Sequence, residues 1–468
     1  MELAISARND WTILAGAIVT GAAAAISLVY ALSTDQLSVL AYYVIGLSLG
    51  SMLTLVIAGP ANPLKRKLLF LFLVVYSVNA ILMLAFATVL VDSNGLPFIS
   101  APIGVIPDDQ RFYENGVAVA QAWLRGDAPN LPLSVIKFYG YTYFLGACNL
   151  VSSFLGDMSP ISPRLINVMA GALLPVMTFR IANLVYSDRR VAYTATLLTA
   201  AFPVFSFYSA LLLRDMIVAF LISLAVLLFL EGAKRGDAIN KGPKLALLVV
   251  VIGALYFMRD LSAFVLLVAF ATYVYLDQPW WVKLLAAAGG AIALFELASY
   301  LDLDAPRAQM YLTYMDRAMD VFVRTEAQDS LGMRYIIGAP FPLNVVLRFP
   351  YTAIVPVPPL IAVDLLSLVR GSGALIWYFL FPLWIYGMWL SRHNSEANML
   401  TMVSLLFLLG ISLVSIDVRH KTQYFAFAII QVSYAAHSLG PKTRQVIIGT
   451  FLVLGFLAIL YGYLRFAG

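Results

Sequence analysis

Residues 13–33, 39–58 and 68–91 follow one another as three almost uninterrupted apolar runs. Each is close to the roughly 20 residues that carry an α-helix across the hydrocarbon core of a bilayer. In lipid every backbone N–H and C=O must be paired within the structure, which leaves helices or closed barrels, and runs this long without period-two alternation are helices. Further runs lie near 162–185, 191–210, 216–231, 245–258, 261–276, 283–298, 374–390, 400–416, 424–438 and 446–463. Hydrophobic residues make up 62% of the 468 and charged residues 12%, against roughly 45–50% and 25% in a soluble domain. The expected fold is all-α, a polytopic membrane bundle of about 13 transmembrane helices with amphipathic helices on its outer face.

Charge sets the expected sidedness. Lys65, Arg66 and Lys67 form the densest basic cluster near any span, so the positive-inside bias puts them in the cytoplasm and the polar stretch 92–132 outside. Basic loops at 186–190 and 233–244, separated by two crossings, are both expected inside. Residues 133–155 carry Lys137, Tyr139, Tyr141, Tyr143 and Asn149, a composition suited to an outer-face or shallow re-entrant helix. Residues 346–369 contain Pro350, Pro356, Pro358, Pro359 and Asp364 and are expected to be broken or re-entrant, because a straight helix would lose several backbone bonds there. The chain then divides into three N-terminal spans (1–92), a first outer loop (93–161), a transmembrane core (162–299), a second outer loop with the proline-rich segment (300–373) and C-terminal spans (374–468). The formal charge of +5 fits cytoplasmic loops against anionic lipid rather than nucleic acid. A single cysteine, Cys148, excludes an intramolecular disulfide and any cysteine-cluster metal site. The N-terminal run lacks a strongly basic flank and reads as a first span rather than a cleaved signal.

Two outer stretches hold the chemistry-bearing residues. In the first, Asp108 and Asp109 stand just after Pro107 and before an amphipathic pattern that runs to Arg125. They suit a helix cap and first-turn acid, or a general base or metal ligand at the membrane surface. The second, 300–347, mixes charges including Arg317 and Arg334, with Arg348 just beyond. It is either a solvated helix surface or the largest polar surface for an extracytoplasmic substrate, and these three arginines are candidate substrate contacts. Arg214-Asp215, Arg259-Asp260 and the string 417–421 (Asp-Val-Arg-His-Lys) interrupt apolar stretches. Ionisable residues at membrane depth are costly and are functional candidates by default, although helix-end anchors that snorkel would look the same. All three groups fall on the outer side, where arginine's planar fork suits a phosphate or pyrophosphate.

The sequence DDQRFYENGVAVA, Asp108 to Ala120, resembles the acidic first-loop motif of the GT-C superfamily of membrane glycosyltransferases. The stretch from Ser162 to Asp215, SPRLINVMAGALLPVMTFRIANLVYSDRRVAYTATLLTAAFPVFSFYSALLLRD, resembles a pattern of its bacterial family-39-like members, the protein mannosyltransferase and aminoarabinose transferase types. VVLRFPYTAIVPVPP (Val345 to Pro359) and DVRHKTQYFAFAI (Asp417 to Ile429) resemble later segments of the same proteins. The resemblance implies transfer of a sugar from a polyprenyl-phosphate donor to a polysaccharide, lipid or protein acceptor outside a bacterial or archaeal cytoplasmic membrane. It implies that Asp109, the closest motif match, or Asp108 activates the acceptor, that Asp109 is a candidate ligand for Mg²⁺ or Mn²⁺, and that Tyr113 and Tyr424 contact substrate. Arg214, Arg259, Arg419, His420 and Lys421 would hold the donor phosphate. The chain departs from the family in having three helices before the acidic loop. A Wzy-like polysaccharide polymerase using lipid pyrophosphate and a transporter or flippase are the alternatives. The long charged outer loops and the lack of a clear inverted repeat, the sequence pointer to such transporters, weigh against transport.

Overall fold

The computed structural model describes residues 2–59, 62–89, 98, 108–131, 139–233, 238–276, 343–354, 365–414 and 418–467, and all its regular elements are helical. Three long helices open the chain, α1 (Glu2–Thr34), α2 (Leu37–Ile57) and α3 (Asn62–Val89). Two shorter ones, α4 (Asp108–Leu124) and α5 (Tyr139–Ser153), form an antiparallel pair. The core is α6 (Arg164–Tyr186), α7 (Arg189–Ala201), α8 (Pro203–Ser209), α9 (Asp215–Ala233), α10 (Ala238–Met258) and α11 (Asp260–Leu276). After 277–342 come α12 (Leu343–Ile354), α13 (Leu365–Leu390), α14 (Ser395–Val414), a 3₁₀ turn (Val418–Lys421), α15 (Thr422–Leu439) and α16 (Lys442–Ala467). Among the described residues seven helices are long and apolar enough to cross a membrane, or eight if the bent α7–α8 pair is one span. Two shorter apolar helices, Gly242–Met258 and Asp260–Tyr275, add to these. The run expected at 283–298 lies outside the described residues.

Helix α6 is the axis of the molecule. It is buried over nearly its whole length and packs on α2, α3, α7, α8, α9 and α15. Two segments depart from simple spans. The run at 191–210 is not one straight helix but bends by 50° between α7 and α8. Pro203 has no N–H to continue the ladder, and it holds the preceding Phe202 extended, at φ −76° and ψ 114°. Helix α13 begins at Leu365, earlier than the apolar run at 374 suggests. Helix α5, at 15 residues, is only about 22 Å long, short of the hydrocarbon thickness. It lies against α4 and the end of α10, where Gly140 has no room for a side chain because a Cβ would overlap the Phe257 carbonyl. Gly116 likewise lets α4 meet α5, since a Cβ there would stand 2.8 Å from that of Leu145.

Contacts sort the charged groups to two ends. Lys67 lies over the Tyr193 ring at 5.6 Å, and His437 meets Thr194 at 2.9 Å. These link the start of α3 and the end of α15 to the start of α7. At the same end Glu231 pairs with Arg180 and Lys244, each at 2.9 Å. The starts of α4, α9, α11 and α15 meet at the opposite end, and the junction of α1 and α2 is tied to it by the loop before α6. There Asp157 accepts from the Ser38 N–H at 2.9 Å and so caps α2 from a distance.

Candidate active site

Four helix starts converge, and this convergence assembles the site. Acidic first turns suit the positive end of each helix dipole, which is why Asp108, Asp215 and Asp260 open α4, α9 and α11. The non-helical link 210–214 that delivers Arg214 and Asp215 is pinned to α6 by Asn167. Its amide Nδ2 donates to the carbonyls of Leu211 at 2.7 Å and Leu213 at 2.8 Å. Arg214 Nη1 donates to the Met258 carbonyl at 2.7 Å, at the closing end of α10, where a cation is favoured.

Asp108 takes a guanidinium on each oxygen. Oδ1 accepts from Arg111 Nη2 at 2.6 Å, and Oδ2 from Arg419 Nη1 at 2.7 Å. Burial alone would push the Asp108 carboxyl up, but Arg419 and Arg111 outweigh it and hold the group below the usual carboxylate range. One residue on, His420 Nδ1 lies 3.1 Å from Arg259 Nη2 and 3.4 Å from Asp215 Oδ1. Arg259 Nη1 donates to Asp215 at 3.1 Å. Burial, and the Arg259 charge beside it, push His420 down to about 4, so at neutral pH the ring is uncharged. Arginine carries its protons at any relevant pH, so Nδ1 accepts from Arg259. A narrow cleft of about 20 Å³ opens against this group, with Arg259, Ser262, His420 and Gln423 at its polar end and Val265, Phe407 and Ile411 among its apolar walls.

The expected residues therefore divide. Asp108, Arg214, Arg259, Arg419 and His420 come together, joined by Arg111 and Asp215. Asp109 points away: it is fully buried and faces the equally buried Arg164 at 3.9 Å. Lys421 is also fully buried. Tyr113 donates its hydroxyl to the Met158 carbonyl and so ties α4 to the loop before α6. Tyr424, expected to touch substrate, lies inside an aromatic core, stacked on Trp384 with centroids 5.9 Å apart. Its apolar ring follows the buried face of α15 rather than the cleft. Arg348 is buried on α12, which packs on α14, and Arg317 and Arg334 lie outside the described residues. Arg111 and Asp215 were not picked out as site residues. Asp215 had a signal, since it shares a pair with Arg214, while Arg111 looks like one more polar residue on an amphipathic helix.

The described residues do not suit a divalent cation. No three of His, Cys, Asp or Glu cluster among them. The oxygens of Asp108 face guanidinium groups, and Asp109 is enclosed with Arg164, surroundings that repel Mg²⁺ or Mn²⁺ rather than complete its oxygen shell.

No protein-family model and no curated protein match the chain. Solved structures do. ArnT from Cupriavidus metallidurans bound to undecaprenyl phosphate is 15% identical with a TM-score of 0.47, covering 83% of this chain and 64% of its own. An Archaeoglobus fulgidus oligosaccharyltransferase in complex with Zn and sulfate is 11% identical with a TM-score of 0.44, covering 81% and 51%. Archaeal oligosaccharyltransferase AglB from Archaeoglobus fulgidus, in complex with an inhibitory peptide and a dolichol-phosphate, is 14% identical with a TM-score of 0.41, covering 79% and 50%. The chain thus spans under two thirds of the first neighbour and about half of the other two.

Proposed function

We propose that the chain transfers a sugar from a polyprenyl-phosphate carrier to an acceptor hydroxyl at the outer face of a cytoplasmic membrane. The observation that carries this reading is a carboxylate, Asp108, set among guanidinium groups where four helix starts meet. Such a group answers both halves of the reaction. The acceptor oxygen forms a bond to the anomeric carbon, the bond from that carbon to the phosphate oxygen breaks with its electron pair going to phosphate, and the hydroxyl proton passes to Asp108. Arg419 and Arg259 then hold the departing phosphate, whose negative charge grows as the bond breaks. Within this reading Asp108 is the base, while Asp109 anchors the helix that carries it. The outer-face reading is supported by the opposite end, where Lys65, Arg66, Lys67, Arg189, Arg190 and Lys244 make a basic set that suits a cytoplasmic face.

Purified protein given a labelled polyprenyl-phosphate sugar and a crude envelope acceptor fraction is expected to move label into the acceptor. Passage of an unchanged substrate across sealed vesicles, with no new glycosidic bond, would replace this reading with transport. R419A is expected to lower use of the lipid-phosphate donor by roughly 10- to 150-fold, the worth of one charge-assisted phosphate contact, with little change in acceptor choice.

A further inference from the structure

We infer that Arg419 is shared between two anions in turn: it holds the Asp108 carboxylate until a lipid-phosphate head group enters, then moves to that phosphate and releases Asp108 toward the acceptor. The inference rests on the donor site proposed above and says how that site is switched on.

The geometry poses the problem directly. Both oxygens of Asp108 are engaged, by Arg111 at 2.6 Å and Arg419 at 2.7 Å. A carboxylate so held accepts a proton poorly, yet the reaction asks it to do so. The two partners are not equivalent. Arg111 sits three residues along the same helix and travels with Asp108. Arg419 comes from the 3₁₀ turn before α15 and stands next to His420, which lines the cleft with Arg259. Exposure separates this pair from its neighbour as well. The side chains of Arg419 and Asp108 are 27% and 32% exposed, against 12% and 5% for Arg259 and Asp215. The rim pair is open to an incoming anion, and the inner pair is packed in place.

Exchange keeps the number of charge-assisted bonds constant, since the arginine leaves a carboxylate only as it gains a phosphate. It also suits the course of the reaction. As the hydroxyl proton reaches Asp108 the carboxyl loses its charge, while the phosphate, taking the electron pair of the broken bond, gains one. Arg419 is then on the anion that needs it.

A consequence distinguishes exchange from a merely structural ion pair. If Asp108 and the donor phosphate compete for Arg419, removing the carboxylate must help the phosphate to bind. The full-length protein in detergent, with folding checked by thermal melting, is titrated with farnesyl phosphate. D108N is expected to bind about tenfold tighter than the unaltered chain and R419Q about tenfold weaker, each near the worth of one such bond. In D108N/R419Q the gain from D108N is expected to vanish. A gain of equal size in both backgrounds would reflect only the loss of a negative charge, and would overturn the inference, as would D108N binding no tighter than the unaltered chain. If R419Q does not fold, D215N serves as the charge control, and a tightening as large as that of D108N overturns the inference equally. Inorganic phosphate and farnesol are run beside the lipid. Inorganic phosphate matching farnesyl phosphate in affinity and in its response to D108N would assign the site to free phosphate and overturn the lipid exchange. Because no acceptor or turnover is involved, failure of the transferase reading and failure of the exchange give different results.

Discussion

Asp108 and Asp109 are adjacent in sequence, and their separate positions follow from helix geometry. Neighbouring residues on a helix point about 100° apart, so when α4 lies on α5 one carboxylate faces the cationic cluster and the other the Arg164 side of the core. D108N is expected to fold normally and to lose about 10²–10⁴-fold in turnover, as for a general base. D109N takes the Asp109 charge away from the buried Arg164, and destabilisation is expected, read as an earlier thermal melt. The sequence motif carries both carboxylates but not the phase of the helix against its neighbour, which is why it favoured Asp109. The pH dependence carries a further expectation. With Arg111 and Arg419 on it, Asp108 keeps its charge as pH falls, so kcat/KM for the donor is expected to hold to below about pH 4, where an unperturbed carboxyl would already be taking up its proton. Once Arg419 has moved to the phosphate the carboxyl is less stabilised, and the acid limb of kcat is expected at higher pH than that of kcat/KM. Coincident limbs would mean that Asp108 keeps both partners in the complex.

At the scale of the element, the cluster depends on a link that is not itself helical. Residues 210–214 are held by Asn167, whose amide spans two carbonyls. N167D replaces that donor with an oxygen facing two oxygens, and a loss of about 1–3 kcal/mol is expected, the cost of a buried acceptor left unpaired. Farnesyl phosphate binding should weaken in parallel, because Arg214 and Asp215 follow the link. Unchanged binding in a destabilised N167D would detach the link from the site. Helices of uniform apolar character were legible in advance, as was the short α5, whose tyrosines and asparagine suit an interface. The bend at Phe202–Pro203 was less so. The proline was in plain view within an apolar run, but a single proline also fits a first helical turn or a gentle kink, and only packing on α6 and α13 decides among them.

For the whole molecule, the alternation of charged loops predicted that the acidic motif, both Arg-Asp pairs and residues 419–421 share one end, and the helices bring them there by contact. That relation was readable because every crossing reverses the end, so a few well-placed basic loops fix the rest. A net change of side between Asp260 and Arg419 would have carried Arg419 away from Asp108, yet Arg419 and Asp108 are joined at 2.7 Å. Which leaflet this end faces is a separate physical matter, governed by the Lys and Arg clusters at the far end. Two exposed positions mark the ends, Asp127 beyond α4 and Arg189 at the start of α7. In a C148S background, D127C is expected to react with a membrane-impermeant thiol reagent in intact cells, and R189C only after the cells are opened. The buried Cys148 makes that background conservative. The reverse pattern would turn the cluster toward the cytosol, where a soluble nucleotide-sugar donor competes on equal terms with a lipid-linked one, and the proposed donor would lose its topological support.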